Sequence, residues 1–217
     1  GYALTDADDN VAIGRSALAT DTLGSKSTAI GNGALQTQNF TTATDSHNTA
    51  VGYNAGNDIT TGDANTIMGS LAGDALTTGV VNTALGYRAL TSATNSKTNT
   101  AIGAQALTNF NNTSTVVADN TAVGYNAGVV LTTGLKNTFV GAEAGSNTDD
   151  GTNNTSVGYR ALNANCGDSN TAVGYIALED VTGSSCTAVG QSAGKDVNSG
   201  SNNSFLGADA GRTGSPG

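Results

Sequence analysis

One stretch, Asn120-Thr121-Ala122-Val123-Gly124-Tyr125-Asn126-Ala127, recurs with small changes along the whole of this 217-residue chain. Twelve copies align on their glycine, and successive glycines lie 16, 17 or 21 residues apart. These motif glycines are Gly14, Gly31, Gly52, Gly69, Gly86, Gly103, Gly124, Gly141, Gly158, Gly174, Gly190 and Gly207. A short repeat that fills a chain is typical of stacked structural units, so the repeat predicts the architecture before any local pattern is considered.

The positions around the motif glycine differ in how often the same residue type recurs. The residue just before it, the aliphatic position, is Ile, Val, Leu or Met in every copy, and the residue three after it is always Ala. Thr or Ser occupies the threonine position, three before the glycine, in eleven copies, and Asn lies four before it in ten. The centre position, two before the glycine, is Ala in eight copies.

A longer period lies on top of the short one. Gly14, Gly86 and Gly158 are each 72 residues apart, and the residue after the invariant Ala follows the order Leu, Leu, Gly, Gly three times. We therefore divide the chain into a partial coil or linker at 1–9, a repeat domain at 10–211 and a tail at 212–217. The repeat domain comprises three blocks of four coils, about 72 residues each, of which the last is shorter.

A unit of this length is too short for a pair of helices or a propeller blade, and it suits one coil of a β-solenoid. The predicted fold class is all-β, a parallel β-solenoid of about twelve coils of 16–21 residues. Twelve coils stacked about 4.8 Å apart would form a rod of roughly 58 Å. Because side chains alternate along a strand, Thr and the aliphatic residue share one face, which we expect to point into the coil. The recurring Asn is expected to form a hydrogen-bonded ladder.

The centre position then predicts a flat outer stripe of small residues, along which other chains could approach closely. This favours a homotrimer, while the alternative is that Ala is simply small enough for a crowded single-chain coil. The predicted interface residues are Ala12, Ala29, Ala50, Ile67, Ala84, Ala101, Ala122, Phe139, Ala172, Ala188 and Phe205. Ile67, Phe139 and Phe205, which belong to the fourth coil of each block, are the large members of the stripe.

The pattern Gly-x-x-Asn-Thr-Ala-Val-Gly-x-x-Ala resembles the head repeat of trimeric autotransporter adhesins, and it is similar to repeats in tail-fibre-like proteins of phages. The resemblance covers roughly residues 10–211. It implies a left-handed β-roll, three chains side by side, and an extracellular location on a cell surface or virion. Two departures are that Thr replaces Val in most copies and that the repeat is longer, at 16–21 residues.

Charge and composition disfavour several functions. The net charge is −9 and the eight Lys and Arg residues are scattered singly, so nucleic-acid binding is not expected. No apolar run approaches the length of a membrane helix, so no membrane insertion is expected in this segment. With His47 as the only histidine, an enzyme is disfavoured, and neither a cofactor nor a metal is predicted. Surface exposure explains Asp6, Asp8, Asp9, Asp149 and Asp150 better than calcium binding.

Three groups of residues remain as candidate sites. Five tyrosines follow motif glycines and are candidate ligand contacts for sugar rings, or they merely cover the coil corners: Tyr53, Tyr87, Tyr125, Tyr159 and Tyr175. Cys166 and Cys186 could form a disulfide or remain free thiols. The two longest loops, Gln36–His47 and Thr108–Asp119, are candidate contact surfaces.

These observations predict a non-catalytic structural fibre segment, the shaft or head of a surface adhesin or a phage tail fibre, with glycan or cell-surface binding on its loops or tyrosines. Its main partner would be itself. The alternative is a self-assembling extracellular filament subunit. An ice-binding solenoid is a third hypothesis, disfavoured by the expected inward direction of the Thr column.

Overall fold

A computed structural model describes residues 1–112 and 117–212. Within these residues every regular element is a β-strand and there is no helix. The strands are β1 Val11–Ile13, β2 Gly24–Ser25, β3 Thr28–Ile30, β4 Thr44–Asp45, β5 Thr49–Val51, β6 Thr66–Met68, β7 Thr83–Leu85, β8 Thr100–Ile102, β9 Thr121–Val123, β10 Thr138–Val140, β11 Thr155–Val157, β12 Thr171–Val173, β13 Thr187–Val189 and β14 Ser204–Leu206.

Twelve of these strands, all except β2 and β4, form one parallel sheet in chain order. Each strand is the Thr-Ala-Val segment of one repeat, and like positions pair with like, as Thr121 does with Thr138 and Val123 with Val140. The predicted parallel β-solenoid is thus confirmed, with about eleven turns. The two 21-residue intervals keep this register, because their extra residues lie outside the sheet. In the first of these intervals, between Gly31 and Gly52, the extra segment includes β4, which pairs with β2 of the preceding coil.

The motif glycine is required by the close approach of successive coils. At Gly124 the backbone has φ +141°, and a Cβ there would lie 2.4 Å from the carbonyl oxygen of Gly141 in the next coil. Any side chain at this corner would both strain the backbone and collide with the neighbouring main chain. The positive φ applies to all twelve motif glycines and the collision to eleven of them, since a Cβ at Gly207 would meet nothing within 4 Å among the described residues.

The recurring Asn forms the predicted ladder inside the solenoid. The side-chain oxygen of Asn120 accepts the backbone N–H of Asn137 at 3.0 Å, and Asn137 accepts that of Asn154 at 2.9 Å. The amide of Asn137 also donates to the carbonyl of Gly151 at 2.8 Å. These side chains are buried, so the ladder satisfies backbone groups that could not reach water.

The prediction of which strand face points inward was wrong. The centre position is buried in every interior coil, whereas the threonine and aliphatic positions are half-buried or exposed. The alternation itself holds, but the coil is narrow, and its interior also holds the buried invariant Ala and, in half of the coils, a buried Leu after it. Each three-residue strand therefore buries its single centre residue, which is Ala in most coils, and directs the Thr and aliphatic pair outward.

Large centre residues are accommodated by glycines that face them. Phe139 is fully buried, and a Cβ on Gly145 would lie 2.5 Å from its ring, while one on Gly128 in the preceding coil would lie 2.8 Å from it. Where the residue after the invariant Ala is Leu, as at Leu107 and Leu162, that Leu is itself fully buried. The block pattern Leu, Leu, Gly, Gly is therefore a pattern of complementary volumes in the core.

Residues before the first sheet strand pair with the coil that follows. The backbone N–H of Thr5 donates to Thr22, and that of Lys26 donates to Asp8, at 3.1 and 3.0 Å. Of the predicted tail at 212–217, only Arg212 lies within the described residues. Part of the predicted loop Thr108–Asp119, residues 113–116, also lies outside them.

Candidate functional site

The described part of the chain has no cavity that could enclose a small ligand. It also contains no group of three or more His, Cys, Asp or Glu side chains arranged to hold a metal ion. None of its elements is a helix of the length and apolarity needed to cross a bilayer. The functional candidates are therefore open surfaces of the solenoid, each built from one position of the repeat.

The first surface is the outward strand face, defined here as the threonine and aliphatic positions of the twelve sheet strands. Exact register aligns them in two parallel columns. The columns lie about 6.6 Å apart and run for about 53 Å, since eleven strand spacings separate β1 from β14. Between the terminal strands, the most exposed aliphatic side chains are 37–43% accessible: Met68, Leu85, Val140, Val157 and Val189.

The alanine stripe does not lie on the surface, and the predicted interface along it is wrong for the interior coils. Ala29, Ala50, Ile67, Ala84, Ala101, Ala122, Phe139, Ala172 and Ala188 are all 0% exposed within the single chain. Ala12 is exposed and Phe205 is half-buried, because they belong to the first and last strands of the sheet. The alternative explanation of the alanines, a crowded single-chain coil, agrees with the structure.

The second surface is the tyrosine column, defined as Tyr53, Tyr87, Tyr125, Tyr159 and Tyr175. All five side chains are exposed, between 42% and 55%. Tyr159 and Tyr175 belong to adjacent coils and their rings stack, with centroids 5.7 Å apart and an angle of 16° between planes. Each tyrosine presents roughly half of its surface to solvent and buries the rest against the chain, which agrees with a ligand contact and with cover of the coil corner alike.

Polar side chains follow the tyrosines in the chain. Tyr53 and Tyr125 are followed by Asn, and Tyr87 and Tyr159 by Arg. The guanidinium carbon of Arg88 lies 6.0 Å from the centre of the Tyr87 ring. Arg160 forms an ion pair across coils with the largely buried Glu179, at 3.2 Å, so its side chain is held in place.

Cys166 and Cys186 are both free and buried, which agrees with the free-thiol alternative rather than with a disulfide. Their sulfurs face different partners: that of Cys166 lies 3.3 Å from the hydroxyl of Thr148, and that of Cys186 lies 3.1 Å from the carbonyl of Gly200. Burial raises the pKa of the Cys166 thiol. Both residues are part of the packed interior.

The loop Gln36–His47 contains a buried polar network that the sequence analysis missed. Asp21 is fully buried; it accepts hydrogen bonds from the backbone of Gly24 at 3.0 Å and from the side chain of Gln38 at 2.6 Å. Gln38 in turn accepts one from Asn48 at 2.9 Å. The only sequence signal is that polar residues occupy positions filled by Ile59 and Leu76 in later coils. The network fixes the loop and offers no open ligand site.

Comparisons with protein-family models, with curated proteins and with solved structures find no match for this chain.

Proposed function

We propose that this chain is a non-catalytic segment of an extracellular fibre, the shaft or head of a surface adhesin or phage tail fibre, in which three copies pack side by side. The observation that supports this most directly is the unbroken aliphatic column on the outward strand face. A contiguous apolar surface of this length is typical of an interface rather than of a free monomer.

The shape of the column suits side-by-side association. It is narrow and runs parallel to the solenoid axis, so copies aligned with one another can bury it along its whole length. Three such strips arranged around a common axis cover each other completely. The left-handed coil that the adhesin resemblance implies belongs to the same proposal, as does the location on a cell surface or virion.

Light scattering on the purified chain tests the assembly. One chain has a mass of 21.3 kDa, so a trimer corresponds to about 64 kDa. We expect Leu85→Lys combined with Val140→Lys to reduce the mass to that of one chain, because unpaired charges would be buried in the interface. Asn109→Lys, on an exposed loop away from the strand face, is the matched control and should remain trimeric.

A wild-type mass of one chain would contradict the trimer. Masses that grow continuously with concentration would instead support the filament subunit, in which copies associate end to end through unpaired strand edges.

The outward strand face also supports a second candidate, ice binding. The Thr column, expected to be internal, is directed outward, and ten Thr residues and one Ser lie in register beside the aliphatic column. A rigid, regular array of hydroxyl and methyl groups can order water. The same face cannot be buried in a trimer and free to bind ice, so the two candidates exclude each other.

Thermal hysteresis distinguishes them. An ice-binding monomer should depress the freezing point below the melting point, and Thr100→Lys with Thr138→Lys should abolish the gap. A wild-type chain that is monomeric and shows no hysteresis would eliminate this candidate.

A further inference from the structure

We propose that four members of the tyrosine column, Tyr53, Tyr87, Tyr125 and Tyr159, form a platform for one extended, neutral β-1,4-linked polysaccharide lying along the solenoid axis. This deepens the proposed function, because it names the ligand class of the fibre segment and rests on that proposal.

The spacing is set by the coils. Tyr53, Tyr87, Tyr125 and Tyr159 lie in every second coil, and small side chains occupy the same corner position between them: Ser70, Ala104 and Ala142. Two coil spacings correspond to about 9.6 Å. In an extended β-1,4-linked chain successive sugars are rotated by about half a turn, so every second sugar presents the same face, and two sugars cover nearly this length. Each tyrosine can therefore contact an equivalent sugar.

Register keeps this spacing constant along the rod. The interval between Tyr87 and Tyr125 contains four more residues than that between Tyr53 and Tyr87, yet the strands β8 and β9 remain paired in phase. The extra residues leave the sheet and do not displace the column. Four rings on a rigid scaffold offer a preorganised site, since few rotatable bonds have to be ordered on binding.

The neighbouring polar groups match sugar hydroxyls. Each of the four tyrosines is followed by Asn or Arg in alternation, at Asn54, Arg88, Asn126 and Arg160. Of these side chains, Arg88 lies beside its ring, with the guanidinium carbon 6.0 Å from the centre of the Tyr87 ring, and a guanidinium carries several hydrogen-bond donors. An apolar ring with adjacent planar polar groups suits the two surfaces of a sugar, the C–H face and the hydroxyl rim.

Charge argues against other linear polymers. Single-stranded nucleic acid also stacks on aromatic side chains, but it needs a positively charged track, and this chain has a net charge of −9. An acidic polysaccharide would be repelled in the same way. A neutral polysaccharide is the linear ligand that this surface fits.

Calorimetric titration of the assembled wild-type chain with cello-oligosaccharides of increasing length tests the proposal. We expect affinity to rise with each two added sugars and to level off at about seven, the length that covers four rings two sugars apart. Amylose fragments, whose α-1,4 linkage coils the chain, should bind at least tenfold more weakly. Equal affinity for both sugars, or no binding of either, would overturn the proposal.

A register variant tests the spacing itself. Tyr87→Ala should weaken binding of the longest oligosaccharide about tenfold. Tyr87→Ala combined with Ala104→Tyr restores the number of tyrosines but moves one ring by a single coil, and it should not restore affinity. The adjacent rings of Tyr159 and Tyr175 show that such a pair fits the scaffold. Recovery of wild-type affinity in the double variant would refute selection by spacing.

Light scattering on the same samples separates the two proposals. A trimer that binds no oligosaccharide would leave the fibre assembly intact and overturn the polysaccharide platform. A monomer that binds cello-oligosaccharides with the expected length dependence would overturn the trimer and support the platform.

Discussion

Replacing Gly145 by Ala tests the complementary packing of the core. The new Cβ would lie 2.5 Å from two ring carbons of Phe139, closer than two carbon atoms can approach. Overpacking of this kind costs about 1–3 kcal/mol of unfolding free energy. The backbone at Gly145 has φ +59°, and this adds about 1 kcal/mol for a residue with a side chain. We expect a total loss of about 2–4 kcal/mol.

The backbone part of this cost can be separated from the collision with the ring. Leu107 and Leu162 occupy the equivalent position in other coils with φ +49°, so the scaffold accepts a side chain there when nothing opposes it. In a Phe139→Ala background the ring is gone, although that change alone costs about 3–5 kcal/mol through the cavity it creates. Gly145→Ala should then cost about 1 kcal/mol or less, because only the backbone term remains.

Urea unfolding followed by circular dichroism, on the wild-type chain, both single variants and the double variant at one protein concentration, completes the cycle. We expect a coupling free energy of about 1–3 kcal/mol between the two positions. If Gly145→Ala destabilises both backgrounds equally, within about 0.5 kcal/mol, the glycine does not serve to accommodate the ring, and the volume argument fails.

Two further predictions concern titratable groups. Burial raises the pKa of the Asp74 carboxyl group, so the folded chain binds a proton at Asp74 more tightly than the unfolded chain does. The ionised carboxylate therefore lowers the free energy of unfolding once the pH rises above the pKa of Asp74 in the unfolded chain. Asp74→Asn should therefore raise the melting temperature at pH 7, with a difference that disappears near pH 3; an equal shift at both values would contradict the burial effect. Cys166 and Cys186 should both resist a thiol-specific disulfide reagent in the folded chain and react fully in urea, and rapid labelling of Cys166 in the folded chain would show that it is accessible.

The sequence was sufficient to predict the solenoid but not which strand face points inward. The fixed period, the invariant glycine and the recurring Asn each follow from the geometry or the hydrogen bonding of the backbone. The stacked coils and the Asn ladder could therefore be expected from the sequence. Alternation, in contrast, defines two faces without saying which is buried. Covariation did contain the answer: Phe139 and Ile67 occur in coils where Leu is replaced by Gly, and such compensation of volume implies contact in one interior.

The surfaces were predictable to different degrees. The tyrosines were identified from their position after the motif glycine, and they are exposed as a ligand contact requires. The outward strand face was missed because an aliphatic column was assumed to be core. The network around Asp21 and Gln38 was missed because a polar interior position gives no signal unless its aliphatic counterparts in later coils are compared.

The glycines that face Phe139 come from two different coils, and this limits how such a chain can change its length. Gly128 precedes the ring by one coil and Gly145 shares its coil, so deleting the coil that carries Gly128 would bring Phe139 against Leu107. Deleting or duplicating four coils returns every side chain to a matching neighbour. Unequal recombination between gene copies in steps of a whole block would thus preserve every core contact, and rods that change in this way should differ in length by multiples of about 19 Å, four coil spacings.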